Sequence, residues 1–259
     1  VWDASGSTSA YRIVLDQRSG DMTAEADVAA SRLPERKGRS SAFLSSEETL
    51  EARAARMSTT ERNQRVRYQG RAVVWQGANR IQAEQIEIDR KGRRLVATGA
   101  VRTQFLDAPK EGPRAAKRRG PPPVVVAEAA ELVYTEQDRL AQYSGGVRLV
   151  RLALEVKAQE IRAHLKEDGS DSTLERAYAD GQAEILEREG DRLRRGTAEH
   201  AEYYAAEGRI ELYGGAPVLF DSLRGRTQGE RLTYWADNDK LLVNGLESRR
   251  VVSRLRRHP

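Results

Sequence analysis

Two short phrases of apolar and polar positions recur along the chain in a fixed order. The first is a small residue followed three and five places later by apolar residues, as in Ala83 with Ile86 and Ile88, Ala129 with Leu132 and Tyr134, and Gly229 with Leu232 and Tyr234. The second is a small residue, usually glycine, with an apolar residue two places before and two after. Gly99 stands between Ala97 and Val101, and Gly145 between Tyr143 and Val147. The second phrase follows the first by 16 residues from Ala10 to Ala26, Ala54 to Gly70, Ala83 to Gly99, Ala129 to Gly145, Ala198 to Gly214 and Gly229 to Gly245. From Ala158 to Gly181 the offset is 23, and the polar stretch Lys166 to Asp171 supplies the extra length. Across these seven units, thirteen of the fourteen residues at the three- and five-place positions are apolar, against 39% of the chain. The abundance of alanine does not produce that enrichment, so the repeat is a real period.

Each unit predicts a β-hairpin. Apolar residues at every second place mark a strand, because successive side chains point to opposite faces. Leu95, Ala97, Gly99, Val101, Thr103 and Phe105 keep that alternation over six positions. Turn formers separate the phrases: Asp16 to Gly20, Asp89 to Gly92, Glu136 to Asp138, Glu207 with Gly208, and Asp237 to Asp239. Seven hairpins give about fourteen antiparallel strands and an all-β fold. The recurrent Gly or Ala inside a strand lets a neighbouring backbone come close or lets the sheet bend. Thr49 to Met57 has the composition of a helix but falls on the repeat, which predicts a strand instead. Two stretches interrupt the series, 31–50 with Pro34, Lys37 and Gly38, and 107–123 with a Pro121 to Pro123 triplet. Both read as loop insertions in a single domain spanning 1–259. The alternative is a division into 1–106 and 124–259. Arg254 to Pro259 reads as a frayed basic tail.

Composition narrows the function classes. Charged residues make up 32% of the chain, aromatics 6%, and the net charge is +5. That balance suits a thin structure with much surface per residue and favours anionic partners, without choosing among them. There is no cysteine, which removes disulfides, thiol catalysis and Cys-based metal sites. No run reaches the roughly 18 apolar residues of a membrane-spanning helix. The chain starts at Val1 rather than Met, as expected of a mature form or fragment whose export signal has been removed.

Ile81-Gln-Ala-Glu-Gln-Ile-Glu-Ile-Asp followed by Arg94-Leu-Val-Ala-Thr-Gly-Ala-Val resembles the repeat of the OstA-like (LptA-like) periplasmic lipopolysaccharide-transport family. Gly196-Thr-Ala-Glu-His-Ala-Glu-Tyr with Ile210-Glu-Leu-Tyr-Gly-Gly-Ala-Pro-Val-Leu, and Gln228-Gly-Glu-Arg-Leu-Thr-Tyr with Leu241-Leu-Val-Asn-Gly, repeat the theme. The resemblance covers roughly 50–247, and 10–28 less clearly. It implies an elongated antiparallel β-jellyroll, or β-taco, with an apolar groove that takes the acyl chains of lipid A and passes lipopolysaccharide between the membranes. It also implies a periplasmic location, no cofactor, and end-to-end joining by edge-strand addition. The joining partners would be other transport proteins of the same fold or further copies of the chain. The extra length and the two long loops leave open whether the chain is the bridge, a longer relative of the membrane-tethered component, or the periplasmic part of the outer-membrane assembly protein. No large barrel follows Pro259, which counts against the last unless the chain is a fragment.

The inward phase of the repeat contains Ile86, Ile88, Val101, Phe105, Leu132, Tyr134, Val147, Leu149, Ile161, Ile185, Leu212, Val218, Phe220, Leu232 and Tyr234. Under the resemblance these residues contact lipid, while Glu87 and Thr233 point outward. An ordinary packed core is the plain alternative. Catalysis finds little support. His164, His200 and His258 have no metal-ligand spacing, there is no Gly-x-Ser-x-Gly elbow, and no phosphate loop appears. Lys117, Arg118 and Arg119 read as a solvated loop rather than a nucleic-acid contact, and aromatics are too few for base stacking. The expectation is a protein with no enzymatic activity, no metal and no nucleic-acid partner. Its rivals are a β-solenoid enzyme acting on an anionic polysaccharide, and a self-assembling β scaffold that binds no lipid.

Overall fold

The computed structural model describes residues 1–3, 5–34, 48–106, 124–168, 171–236, 238–245 and 252–255. Most of the two interrupting stretches, and residues 256–259 with His258, lie outside them. All regular structure among the described residues is β, and every pairing described below is antiparallel. The chain forms two compact units, 1–141 with 165–173, and 142–164 with 174–259.

The first unit opens with β1 (Trp2–Asp3), β2 (Gly6–Ser9) and β3 (Arg12–Leu15). It continues through β4 (Met22–Arg32), β5 (Leu50–Thr60), β6 (Arg65–Gln76), β7 (Asn79–Asp89), β8 (Arg94–Leu106) and β9 (Val124–Thr135), each paired with the next from β4 to β9. Strand β10 (Leu140–Arg151) follows. The second unit contains most of β11 (Leu154–Asp168) and β12 (Asp171–Glu189), then β13 (Arg192–Tyr204), β14 (Arg209–Tyr213), β15 (Val218–Asp221), β16 (Gly225–Gln228), β17 (Arg231–Trp235), β18 (Lys240–Asn244) and β19 (Val252–Leu255). The segment of helical composition is strand β5: its side chains find partners on β4 and β6, and pairing overrides propensity.

These segments outnumber the fourteen strands expected, because several strands are interrupted. Strands β2 and β3 both pair with β4, and β14 and β15 both pair with β13. Strand β17 joins β14 to β18, while β16 joins β15 to β19. Counting each interrupted pair as one strand recovers the fourteen strands of the seven hairpins, with the short β1 in addition.

In five of the seven units the second small residue opens a bulge. Ala26 with Asp27, Gly70 with Arg71, Gly99 with Ala100, Gly145 with Gly146, and Gly181 with Gln182 are consecutive pairs with positive φ. Where these pairs occur in β4, β6, β8 and β12, the register shifts by one residue against the next strand. Glycine is needed for space as well as for φ. A Cβ on Gly70 would stand 2.8 Å from that of Ala55, and one on Gly99 would stand 2.8 Å from that of Glu84.

On the intervening strands the apolar phase slips instead. Ile81 and Ala83 are buried, and so is Ile86, although strict alternation would put Ile86 on the opposite face. The chain turns at the slip so that both halves keep their apolar side chains inward. Bulges and slips fall side by side from β4 to β9, which folds the sheet along that line into two walls.

Distances confirm the fold in the second unit. Tyr234 pairs with Ile210, and Ile210 with Tyr203, nine residues along β13 from Arg194. In a flat sheet that separation would be about 30 Å, yet the Arg194 guanidinium donates a hydrogen bond to the Tyr234 hydroxyl. Leu212 likewise packs on Gly196 of the other wall, where any Cβ would collide with it. The fold is a β-jellyroll in which one wall lies on the other.

Candidate functional site

The interior is built from rows that run from strand to strand. In the first unit one wall carries Ala24, Met57, Tyr68, Ile86, Ala97 and Leu132 in direct cross-strand register. These six residues are 0–4% exposed. Beside them runs the row Thr59, Val66, Ile88, Leu95 and Tyr134. The other wall carries Ala52, Val74, Ile81, Thr103 and Ala127, flanked by Ala72, Ala83, Val101 and Ala129. Both walls mix alanine with larger side chains and both are buried, so they close on each other. Each fully buried Ile or Leu contributes about 1.5–3 kcal/mol to that closure.

Of the residues expected to face inward, Ile86, Val101, Leu132 and Tyr134 are buried in the first unit, with Ile88 and Phe105 half-buried beside them. Val147, Ile161, Leu212, Leu232 and Tyr234 are buried along β10 to β17, and Leu149 and Ile185 are half-buried. Val218 and Phe220 are placed differently. They pair with Thr197 and Arg195, the outward phase of β13, and Phe220 is 37% exposed. The cause is the break at Gly214, Gly215 and Ala216, all with positive φ, followed by Pro217. It spans an odd number of residues and reverses the phase between Leu212 and Leu219. Thr233 is on the outer phase as expected, but only 6% exposed. It stands between Glu211 and Leu242 in register, so it is a poor stand-in for a solvent position.

In the first unit the walls part in a small, solvent-open cleft. Met22, Met57, Val66 and Tyr68 line it from one wall, Ala30, Ser31, Arg32 and Leu50 from the other, and Trp2, Asn63 and Arg90 complete it. Met57 and Tyr68 occupy conserved phases of the repeat within this chain, so periodicity marked them. Arg32 and Arg90 sit at a strand end and a turn, where periodicity carries no information.

Burial pushes the Tyr68 phenol up to about 12, against a smaller opposing pull from the Arg32 charge. An ordinary phenol titrates near 10. The unfolded chain therefore loses this proton first, and the stability contributed by the neutral phenol is present below pH 10 and lost between pH 10 and 12. The expected loss is about 3 kcal/mol. Alkaline titration of unfolding stability should show this drop in the native protein and a smaller one in Tyr68→Phe.

The interior of the second unit is polar at the wall ends farthest from the fold line. Arg192 donates to Asp221 at 3.0 Å and to Asp239 at 3.0 Å. Arg194 reaches Tyr234, Glu187 and Glu189, and Arg224 reaches Asp239 at 2.5 Å. Burial alone would raise the Asp221 carboxyl, but hydrogen bonds from Arg192 and the Leu223 backbone N–H hold it below its ordinary value. The outer face is different again. The His200 ring stacks on Tyr213, its Nδ1 is 2.8 Å from Asp180, and Arg162 donates to the same carboxylate at 2.6 Å. Among the described residues no three metal-ligating side chains are grouped.

The model of the LptA/(LptD N-terminal domain) LPS transport protein family matches residues 35–94 and 127–240, more than half of the chain. The chain belongs to that family. It is a family of transport components rather than enzymes, which suits an interior whose side chains are aliphatic, aromatic or self-paired. The matched stretches take in most of the apolar rows, from Ala52 to Ile88 and again from Ala127 to Tyr234. No curated protein sequence matches the chain. Among solved structures, LptH from Pseudomonas aeruginosa, described as the LptA homologous periplasmic component of the lipopolysaccharide transport device, matches at 11% identity with a TM-score of 0.38. The match covers 52% of this chain and 97% of that one.

Proposed function

We propose that this LPS-transport protein works in the periplasm and carries the acyl chains of lipopolysaccharide between its two walls. The observation that carries this reading is the continuity of the apolar rows from strand to strand, beginning at the open cleft. An acyl chain that slides between the walls exchanges wall-to-wall contact for wall-to-chain contact, at little cost. Meanwhile each methylene leaves water, worth about 0.8 kcal/mol. Similar sites in a row keep any single step shallow, and Arg32 and Arg90 flank the entrance with positive charge for the phosphates.

Joining to other transport proteins of this fold, or to a second copy, uses the sheet edges. Among the described residues nothing pairs with the outer edge of β3 in the first unit or of β18 in the second. Exposed Tyr11, Val14 and Leu15 lie at the first edge and exposed Leu242 at the second. Free backbone N–H and C=O groups there can extend a neighbour's sheet.

One experiment tests both parts. A photo-crosslinking residue at Ile88, Val101 or Leu232 should capture lipopolysaccharide, whereas Glu87 on the outer face should not. The same residue at Val14, 51% exposed, should capture protein and not lipid. Equal lipid labelling on both faces, or none on either, would make the apolar rows a closed core and the molecule a scaffold.

A further inference from the structure

The polar wall ends of the second unit form a single contact system across the open side of the fold. Wall one here is β13 from Arg192 to Ala198 with β15 and β16, and wall two is β14, β17 and β18. Wall one contributes three guanidinium groups, those of Arg192, Arg194 and Arg224. Wall two contributes one carboxylate, Asp239, in the turn between β17 and β18, and the hydroxyl of Tyr234. Asp239 receives Arg192 at 3.0 Å, Arg224 at 2.5 Å, Arg194 at 3.5 Å and the Tyr234 hydroxyl at 3.0 Å. The Arg224 guanidinium also reaches the Asp239 carbonyl at 3.0 Å.

We infer that Asp239 is the catch of a seam that parts: it holds the two walls of the second unit shut along their free side and releases them as a gate. The argument rests on where the charges go when the seam opens. Breaking a buried ion pair is costly when one charge is left bare. Here wall one keeps its own partners. Arg192 retains Asp221, and Arg194 retains Glu187 at 2.9 Å and Glu189 at 3.2 Å. Arg224 is already more than half exposed, and Asp239 gains water as it leaves. Both states are electrostatically satisfied, which is what a two-state element needs. A structural clamp would pair each charge across the seam only. The polar ends also stop the apolar rows short of the seam, so acyl chains stay inside while a bulky, charged headgroup can pass only where the catch is open. This last consequence rests on the lipid-carrying reading above.

The test uses the full chain with spin labels at Leu223→Cys and Asn238→Cys, one on each side of the seam. The native pair should give one short distance by pulsed electron resonance. Asp239→Asn keeps a residue that tolerates the positive φ there and removes the charge that the three guanidinium groups share. Combining it with Tyr234→Phe removes the Arg194 bond to the hydroxyl, while the Arg224 contact with the backbone carbonyl of residue 239 remains. The double variant should show a second, longer population while retaining the native β circular dichroism spectrum. It should also exchange the acyl-chain probe 1-N-phenylnaphthylamine at least about tenfold faster, the loss of one hydrogen bond to a charged group. Oxidising the unlabelled cysteine pair to a disulfide should slow that exchange, and reduction should restore it. An unchanged distance in the double variant overturns the catch, whatever the probe does. An opened seam with unchanged probe exchange overturns the gate. A probe that binds no variant overturns the lipid-carrying reading instead, and leaves the catch to be decided by the distances.

Discussion

Gly99→Val should destabilise the first unit by about 2–5 kcal/mol, a large fraction of the stability of a small domain. Two effects add. Gly99 has a φ of 82°, a left-handed conformation that costs a side-chain-bearing residue about 1–2 kcal/mol. A Cβ there would also stand 2.8 Å from Glu84 Cβ and 3.0 Å from its Cγ, so β7 and β8 must separate at the bulge or the fold line must flatten. Gly146→Val separates the terms. Its φ is 81°, yet nothing lies within 4 Å of its added Cβ, so it bears the strain alone. Urea denaturation followed by circular dichroism should place Gly99→Val well below Gly146→Val. Equal losses would mean that the close approach of the two strands contributes nothing.

Leu132→Ala should cost about 2–5 kcal/mol in the same assay. Leu132 is 0% exposed and ends the row that begins at Ala24. Truncation leaves a hole that the surrounding side chains cannot fill without moving. Leu242→Ala, 46% exposed on β18, should change stability by no more than about 0.5 kcal/mol. A small loss at Leu132 would show that the walls collapse freely around missing volume. They would then be more compliant than their burial implies.

Much of this architecture is written in local pattern. The 16-residue offset marks the bulges because the left-handed pairs accept few side chains, and Gly70, Gly99 and Gly181 each meet the strand before them. The turns are legible because Asp, Asn and Gly suit them. What pattern could not show is what happens at the fold line. The slip between Ala83 and Ile86 looks like a broken alternation until the chain turns there. Val218 and Phe220 were assigned inward by counting in twos through Gly214 to Pro217, where the count fails. The seam was illegible for another reason. Arg192 meets partners 29 and 47 residues away, Asp221 and Asp239, and only the folded walls bring them together. Charged residues dispersed in a charged chain carry no signal of their own.

The interrupted edges set how tightly neighbours can hold one another. Strand β3 offers four residues and β18 five, and alternate residues point their backbone groups outward, so each edge presents about four hydrogen-bonding groups. At about 0.5–1.5 kcal/mol apiece these fall short of the several kcal/mol lost on association, unless side chains such as Tyr11 and Leu15 add to them. A filament, were one assembled through such ends, would be held by joints of short lifetime. It would lose and regain a member without any protein unfolding, so that its length would follow the local supply of subunits.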